Sequence, residues 1–177
     1  MFRSLVAYLE ERRVAKVKLH VAGYLLDVGC GPNRLVQEHG HGVGLDVHNW
    51  GVPGMVMGHG AWLPFKEGSF DTITFVASLN HIPHREQALR DAWRVLRPGG
   101  TILITMIGPR VSLVWHKLVR KSDPDQQERG HFDPGEVWGI GVTDMKALIR
   151  GAGFRFVQRK TFILGQNSLY IGRKEPE

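Results

Sequence analysis

A single cysteine, Cys30, occurs in the 177 residues. An internal disulfide and a cysteine-ligated metal cluster are therefore excluded. No apolar run approaches the roughly 20 residues that cross a bilayer, so integral membrane association is not expected. The N-terminal stretch MFRSLVAYLEERRVAKVKLHVAG is interrupted at Glu10, Glu11, Arg12 and Arg13. It lacks the unbroken apolar stretch of a secretory leader, which makes the cytoplasm the expected compartment. No Gly-Lys-Ser/Thr follows any glycine turn, which excludes a P-loop. The nine histidines include no His-Glu-x-x-His and no comparable spacing with an acid, so no metal site is expected.

The composition is that of an ordinary globular chain. At 42% hydrophobic and 23% charged residues, residues 1–177 suit one domain with a full core. The net charge of +6 is unevenly spread. Arg110, Lys117, Arg120 and Lys121 fall within twelve residues that carry no acid. Such a segment is either a solvated face or a patch that attracts nucleic acid, a membrane surface or an acidic substrate.

Hydrophobic patterning sets the order of elements. Residues 1–22 place Leu5, Leu9, Val14 and Val17 at helical spacing. Tyr24 to Val28 reads as a strand, Gly29 to Pro32 as a turn, and Asn33 as the cap of a short helix ending near His39. Val43 to Val47 and Met55 to Met57 read as strands two and three, and Phe70 to Ala77 as a fourth. Arg85 to Leu96 is helical, with Ala88, Leu89, Ala92, Trp93 and Leu96 on one side. Arg97-Pro98-Gly99-Gly100 reads as a turn before a fifth strand, Thr101 to Met106. Thr143 is expected to cap a helix through Arg150, followed by a closing hairpin of Phe154 to Ile163 and Ser168 to Arg173. Alternating strands and helices imply parallel βαβ units covered on both faces. In such sheets ligands sit beyond the carboxyl ends of the strands. Gly29, Asp46, Asn80 and His81 should gather on that rim.

The run Leu25-Leu26-Asp27-Val28-Gly29-Cys30-Gly31-Pro32 carries the strongest signal. Two glycines let a ligand approach the backbone, and Asp46 at the next strand end can accept two hydrogen bonds from a ribose diol. A dinucleotide turn needs a third glycine where Arg34 stands. Pro32 removes an N–H that would cradle a pyrophosphate. The turn suits a nucleoside better than a diphosphate, and a nicotinamide oxidoreductase is disfavoured.

LLDVGCGPNRL resembles the first motif of class I S-adenosylmethionine-dependent methyltransferases. VGLDVH, WLPFKEGSFDTITFVASLNHI, ALRDAWRVLRPGGTILIT and MKALIRGAGFRFV resemble their later motifs, in order, from about residue 24 to 172. The chain is most similar to the compact members called type 11. The resemblance implies a Rossmann-like α/β fold with a mostly parallel seven-stranded sheet, an antiparallel last strand and helices on both faces. It implies S-adenosyl-L-methionine as cofactor, with Asp27, Gly29, Cys30, Gly31, Asp46, Val47, His59, Gly60, Ala61 and Leu79 around it. Gly29 and Gly31 would border its amino-acid part, Asp46 its ribose, and the loop at His59 its adenine. Relatives carry an acid at the place of His59 that accepts from the adenine amino group. Here either the imidazole accepts that bond, or a backbone carbonyl does and His59 covers the ring.

Asn80 and His81 are the candidate catalytic residues, since they follow the fourth strand directly. His81 is either a general base or a loop histidine bonded to backbone. Cys30 has no partner base in sequence and reads as a small packed residue. Residues 107–142 form the variable, substrate-side insertion. Within them RVSLVWHKLVRK is a lid, a membrane-surface helix or core, and His116, His131 and Trp138 either face an acceptor or pack at the surface. The expected activity is transfer of a methyl group to an acceptor, most simply a small molecule. An RNA acceptor and a non-catalytic cofactor-binding partner subunit remain the alternatives. Oligomeric state is not legible.

Overall fold

The computed structural model describes residues 2–109 and 135–176. In chain order come α1 (Phe2–Lys18), β1 (Leu25–Val28), α2 (Arg34–His39), β2 (Gly42–Asp46), β3 (Met55–Met57) and β4 (Phe70–Val76). A 3-10 turn at Leu79–His81 follows, then α3 (Arg85–Val95) and β5 (Leu96–Ile107). Beyond the insertion, α4 (Val142–Gly151) leads into the hairpin of β6 (Arg155–Phe162) and β7 (Asn167–Arg173). The basic segment 110–121, His116 and His131 lie outside the described residues.

One sheet joins all seven strands in the order β3-β2-β1-β4-β5-β7-β6. Pairing is parallel from β3 through β5, and β7 runs antiparallel to both β5 and β6. This is the sheet expected from the sequence, with β7 as its reversed strand. Alternation along the strands feeds two apolar layers. Leu26, Ile102, Ile104 and Tyr170 face α3 and α4 in the larger cluster, with Ala88, Leu89, Ala92, Met145 and Ile149. Leu25, Leu103, Leu169 and Ile171 face the other way, against Val14 and Val17 of α1 and Leu35 and Val36 of α2. Among the described residues no helix is long and apolar enough to cross a membrane.

Local departures have identifiable causes. Asn33 adopts a left-handed backbone (φ 61°) and makes no side-chain cap to α2. It is fully buried, and its Nδ2 donates instead to the carbonyls of Pro53 (2.9 Å) and Gly54 (3.0 Å), tying down the loop before β3. Thr143 lies inside α4, whose cap is Gly141. Residues 97–100 are not a separate turn before β5 but lie within it. Pairing with β4 steps from Phe70–Leu96 to Thr72–Thr101, and the intervening residues bulge from a continuous β5. That bulge is closed from just beyond β7, where the Gly99 N–H donates to the Lys174 carbonyl and the Lys174 N–H to the Gly100 carbonyl.

Candidate active site

The parallel strands bring their carboxyl ends to one rim, and the chain turns sharply there. After β1, Gly29 takes φ +70°, and any Cβ on it would overlap the Ser78 side chain. Its N–H and that of Cys30 both donate to the Leu45 carbonyl, at 2.7 and 3.1 Å. Gly31 takes φ +52° with open space around it, so its glycine answers to backbone conformation alone. After β4, Ala77 is itself left-handed (φ 55°), and its N–H is held by Thr105 Oγ1 at 2.9 Å. This reversal sets Ser78 against Gly29, where its hydroxyl donates to the Val28 carbonyl at 2.5 Å. Strain of this kind in a non-glycine residue concentrates at functional sites.

Asp46 ends β2 and is 1% exposed. Its Oδ2 accepts the Gly31 N–H at 2.9 Å and its Oδ1 the His48 N–H at 3.0 Å. The carboxylate thus braces the glycine turn. A carboxylate has about four acceptor positions, so two bonds leave capacity on both oxygens. Asp27 stands one layer back, also buried, and accepts from Thr74 Oγ1 at 2.6 Å. Burial pushes its carboxyl up to about 7; the Thr74 bond opposes that shift and the charge of Asp46 adds to it.

These turns enclose a cleft of about 470 Å³. Gly29, Asp46, Val47, His59, Gly60 and His81, all singled out from sequence, line it. The others do not line it. Cys30 is buried, with burial and the charges of Asp27 and Asp46 pushing its thiol up. Gly31 reaches the site through Asp46. Ala61 and Leu79 are fully buried. Asn80 is 7% exposed, and its carbonyl accepts the Val137 N–H at 3.0 Å. Trp138, half-buried, does not line the cleft among the described residues.

Sequence reading missed Ser78 and Glu136, which also line the cleft. Glu136 Oε2 lies 2.9 Å from His81 Nδ1, with the carboxylate 9% and the imidazole 27% exposed. A carboxylate only accepts, so Nδ1 donates to it, and in the neutral ring Nε2 keeps its lone pair. The segment carrying Glu136 is pinned on both sides. Arg85 Nη2 donates to the Gly135 carbonyl, and Val137 donates to Asn80. Fifty-five residues separate the pair, and Glu136 sits in no motif, so no local signal marks it. A second cavity of about 490 Å³ lies between α3 and α4, lined among others by Arg85, Pro109, Val137 and Ile140, and it shares Pro83 with the cleft.

Comparison with known proteins fits this arrangement. Residues 26–104 match the model of a family described as a methyltransferase domain. The chain is 24% identical over 208 residues to the demethylmenaquinone methyltransferase of Lactiplantibacillus plantarum, covering 97% of this chain and 88% of that one. An S-adenosylmethionine-dependent methyltransferase from Thermotoga maritima superposes with a TM-score of 0.71 at 19% identity, over 98% of this chain and 95% of that one. The 1,6-didemethyltoxoflavin-N1-methyltransferase of Burkholderia thailandensis, solved with 1,6-didemethyltoxoflavin and S-adenosylhomocysteine bound, gives 0.66 at 18% identity, over 94% and 78%.

Proposed function

We propose that the chain is a class I S-adenosylmethionine-dependent methyltransferase, type 11-like, and that it transfers a methyl group to a small-molecule acceptor. The observation that carries the proposal is the cleft at the strand ends, with the Asp46 carboxylate at one wall and the bare Gly29 backbone beside it. Its volume falls in the range that encloses a ligand of drug-like size. The residues fit the cofactor. Asp46 keeps acceptor capacity on both oxygens for the ribose hydroxyls, Gly29 admits the amino-acid tail, and the loop at His59 and Gly60 borders the base. Asp27, behind the wall, ties β1 to β4 through Thr74. When bound, S-adenosylmethionine supplies an electrophilic methyl group for in-line displacement.

The protein's own contribution is alignment and proton removal. Fixing two reactants in line removes much of an entropic barrier, up to about 7–11 kcal/mol in well-oriented systems. His81 is the group placed to take a proton from an oxygen or nitrogen acceptor at Nε2, which is typically worth about 10² to 10⁴ in rate. Glu136 is its positioning residue, selecting the tautomer and fixing the ring. The cavity beyond Pro83 supports a small molecule as acceptor, as do the small molecules named for the relatives above.

Calorimetry with S-adenosylmethionine, S-adenosylhomocysteine and NAD tests the reading. The first two should bind and NAD should not. Asp46→Ala should weaken S-adenosylhomocysteine by about 1–3 kcal/mol, since it removes charge-assisted bonds; unchanged affinity would refute the ribose assignment. Turnover on a panel of quinones and heteroaromatic amines, with RNA as a further arm, separates the acceptors. Binding without turnover on any of them would favour a non-catalytic partner subunit.

A further inference from the structure

His59 lies on the cleft wall, and its own loop has already used one of its ring nitrogens. The Ala61 N–H donates to His59 Nδ1 at 3.1 Å. A nitrogen that accepts a hydrogen bond carries no proton, so in the neutral ring the proton sits on Nε2. The ring is held further by its tilted contact with Trp62, centroids 4.8 Å apart, and Trp62 in turn meets His84 at 5.3 Å. His59 is exposed, and Nε2–H has no partner among the described residues. The imidazole therefore offers the cleft a donor and no acceptor.

We infer that His59 reads the base of the bound nucleoside by donating from Nε2 to a ring nitrogen of the purine, and that the 6-amino group plays no part in this contact. The inference rests on the cleft being the S-adenosylmethionine site. It reverses the polarity of one of the two expectations from sequence, an imidazole accepting from the amino group; the other had a backbone carbonyl accept while His59 covered the ring. An amino group is a donor, and two donors facing one another repel; a purine ring nitrogen is an acceptor and complements Nε2–H. Specificity for the 6-amino group is then absent from this wall. The cleft should accept purine nucleosides that lack it.

The test compares S-adenosylhomocysteine with its 6-deamino, 1-deaza and 7-deaza analogues, by calorimetry, on the wild type and on His59→Asp. In the wild type the 6-deamino analogue should bind within about threefold of the parent, and one of the two deaza analogues should lose about tenfold, the worth of a single hydrogen bond. Which deaza analogue loses affinity identifies the nitrogen. His59→Asp, which replaces a donor by an acceptor at an exposed position, should favour the 6-amino ligand over the 6-deamino one by about tenfold. Nitrogen-15 shifts of the His59 ring give an independent reading, with Nδ1 unprotonated and Nε2 protonated in the free protein. A wild type that rejects the 6-deamino ligand tenfold or more, with no further discrimination in His59→Asp, overturns the inference while leaving the cofactor site standing. Failure of S-adenosylhomocysteine itself to bind overturns both.

Discussion

Asp27 has an environment that its neighbours in sequence do not suggest. In an unfolded chain its carboxyl titrates near 3.8; in the fold, burial raises it to about 7. Below the lower value both states are protonated and the group contributes nothing to the pH dependence. As pH rises from about 4 to 7 the unfolded chain gives up the proton while the folded one keeps it, so stability falls. Above 7 the full penalty applies, roughly 4 kcal/mol for a shift of about three units. Asp27→Asn keeps a neutral acceptor for the Thr74 hydroxyl and removes the ionisation. Urea unfolding at pH 4.5 and 7.5 should show the wild type losing stability relative to Asp27→Asn between the two. A constant difference would mean that the carboxyl stays ionised in the fold. Nothing in the LLDVG run announces this behaviour, because it comes from the depth of the sheet and the charge of Asp46, against the opposing bond from Thr74 on β4.

The loop that carries His59 is held from a neighbouring helix. Asp91 on α3 accepts the Leu63 N–H at 2.5 Å and pairs with Arg94 at 2.7 Å. Arg94 donates onward to the carbonyls of Phe65 and Leu63, at 2.8 and 3.0 Å. This latch fixes residues 63–65 and, through them, the cleft edge at 59–61. Asp91→Ala leaves the Leu63 N–H unpaired and releases Arg94, at a cost of about 1–3 kcal/mol. Equilibrium denaturation should record that loss, and S-adenosylhomocysteine affinity should fall alongside it, although Asp91 does not line the cleft. The helix itself was legible from its apolar spacing, and Ala88, Leu89 and Ala92 are buried as that spacing required. The latch was not, because its partners are 28 and more residues away.

Across the molecule, the reversed strand β7 closes the sheet between β5 and β6, and Lys174 just beyond its end fastens it. This lysine is 3% exposed. Its Nζ donates to the carbonyls of Trp93 and Leu96 at 3.0 and 2.9 Å and lies 3.9 Å from the centroid of the Trp93 ring. The cation therefore sits at the C-terminal end of α3, where the helix dipole favours it, and over an aromatic face. Lys174→Met leaves two buried carbonyls without their donor. It should cost about 1–3 kcal/mol and lower Tm by several degrees in a chain of this size, with a change in Trp93 emission. A variant as stable as the wild type would show the cation to be dispensable to the closure.

Much was fixed by local chemistry alone. The order of strands and helices, the glycine turn after β1 and the acid at the end of β2 follow from apolar period and backbone freedom, which neighbouring residues settle among themselves. The cleft-lining glycines and Asp46 were legible for the same reason. Folding in three dimensions decided the rest. It turned the side chain of Asn33, at the cap position of α2, into a brace for the loop before β3, drew residues 97–100 into a bulge, brought Glu136 to His81, and turned the outer nitrogen of His59 into a donor. Each of these depends on a partner distant in the chain or on which ring nitrogen a backbone N–H reaches. Hydrogen bonds are short and directional, so such pairings take hold only once packing has brought the groups within reach.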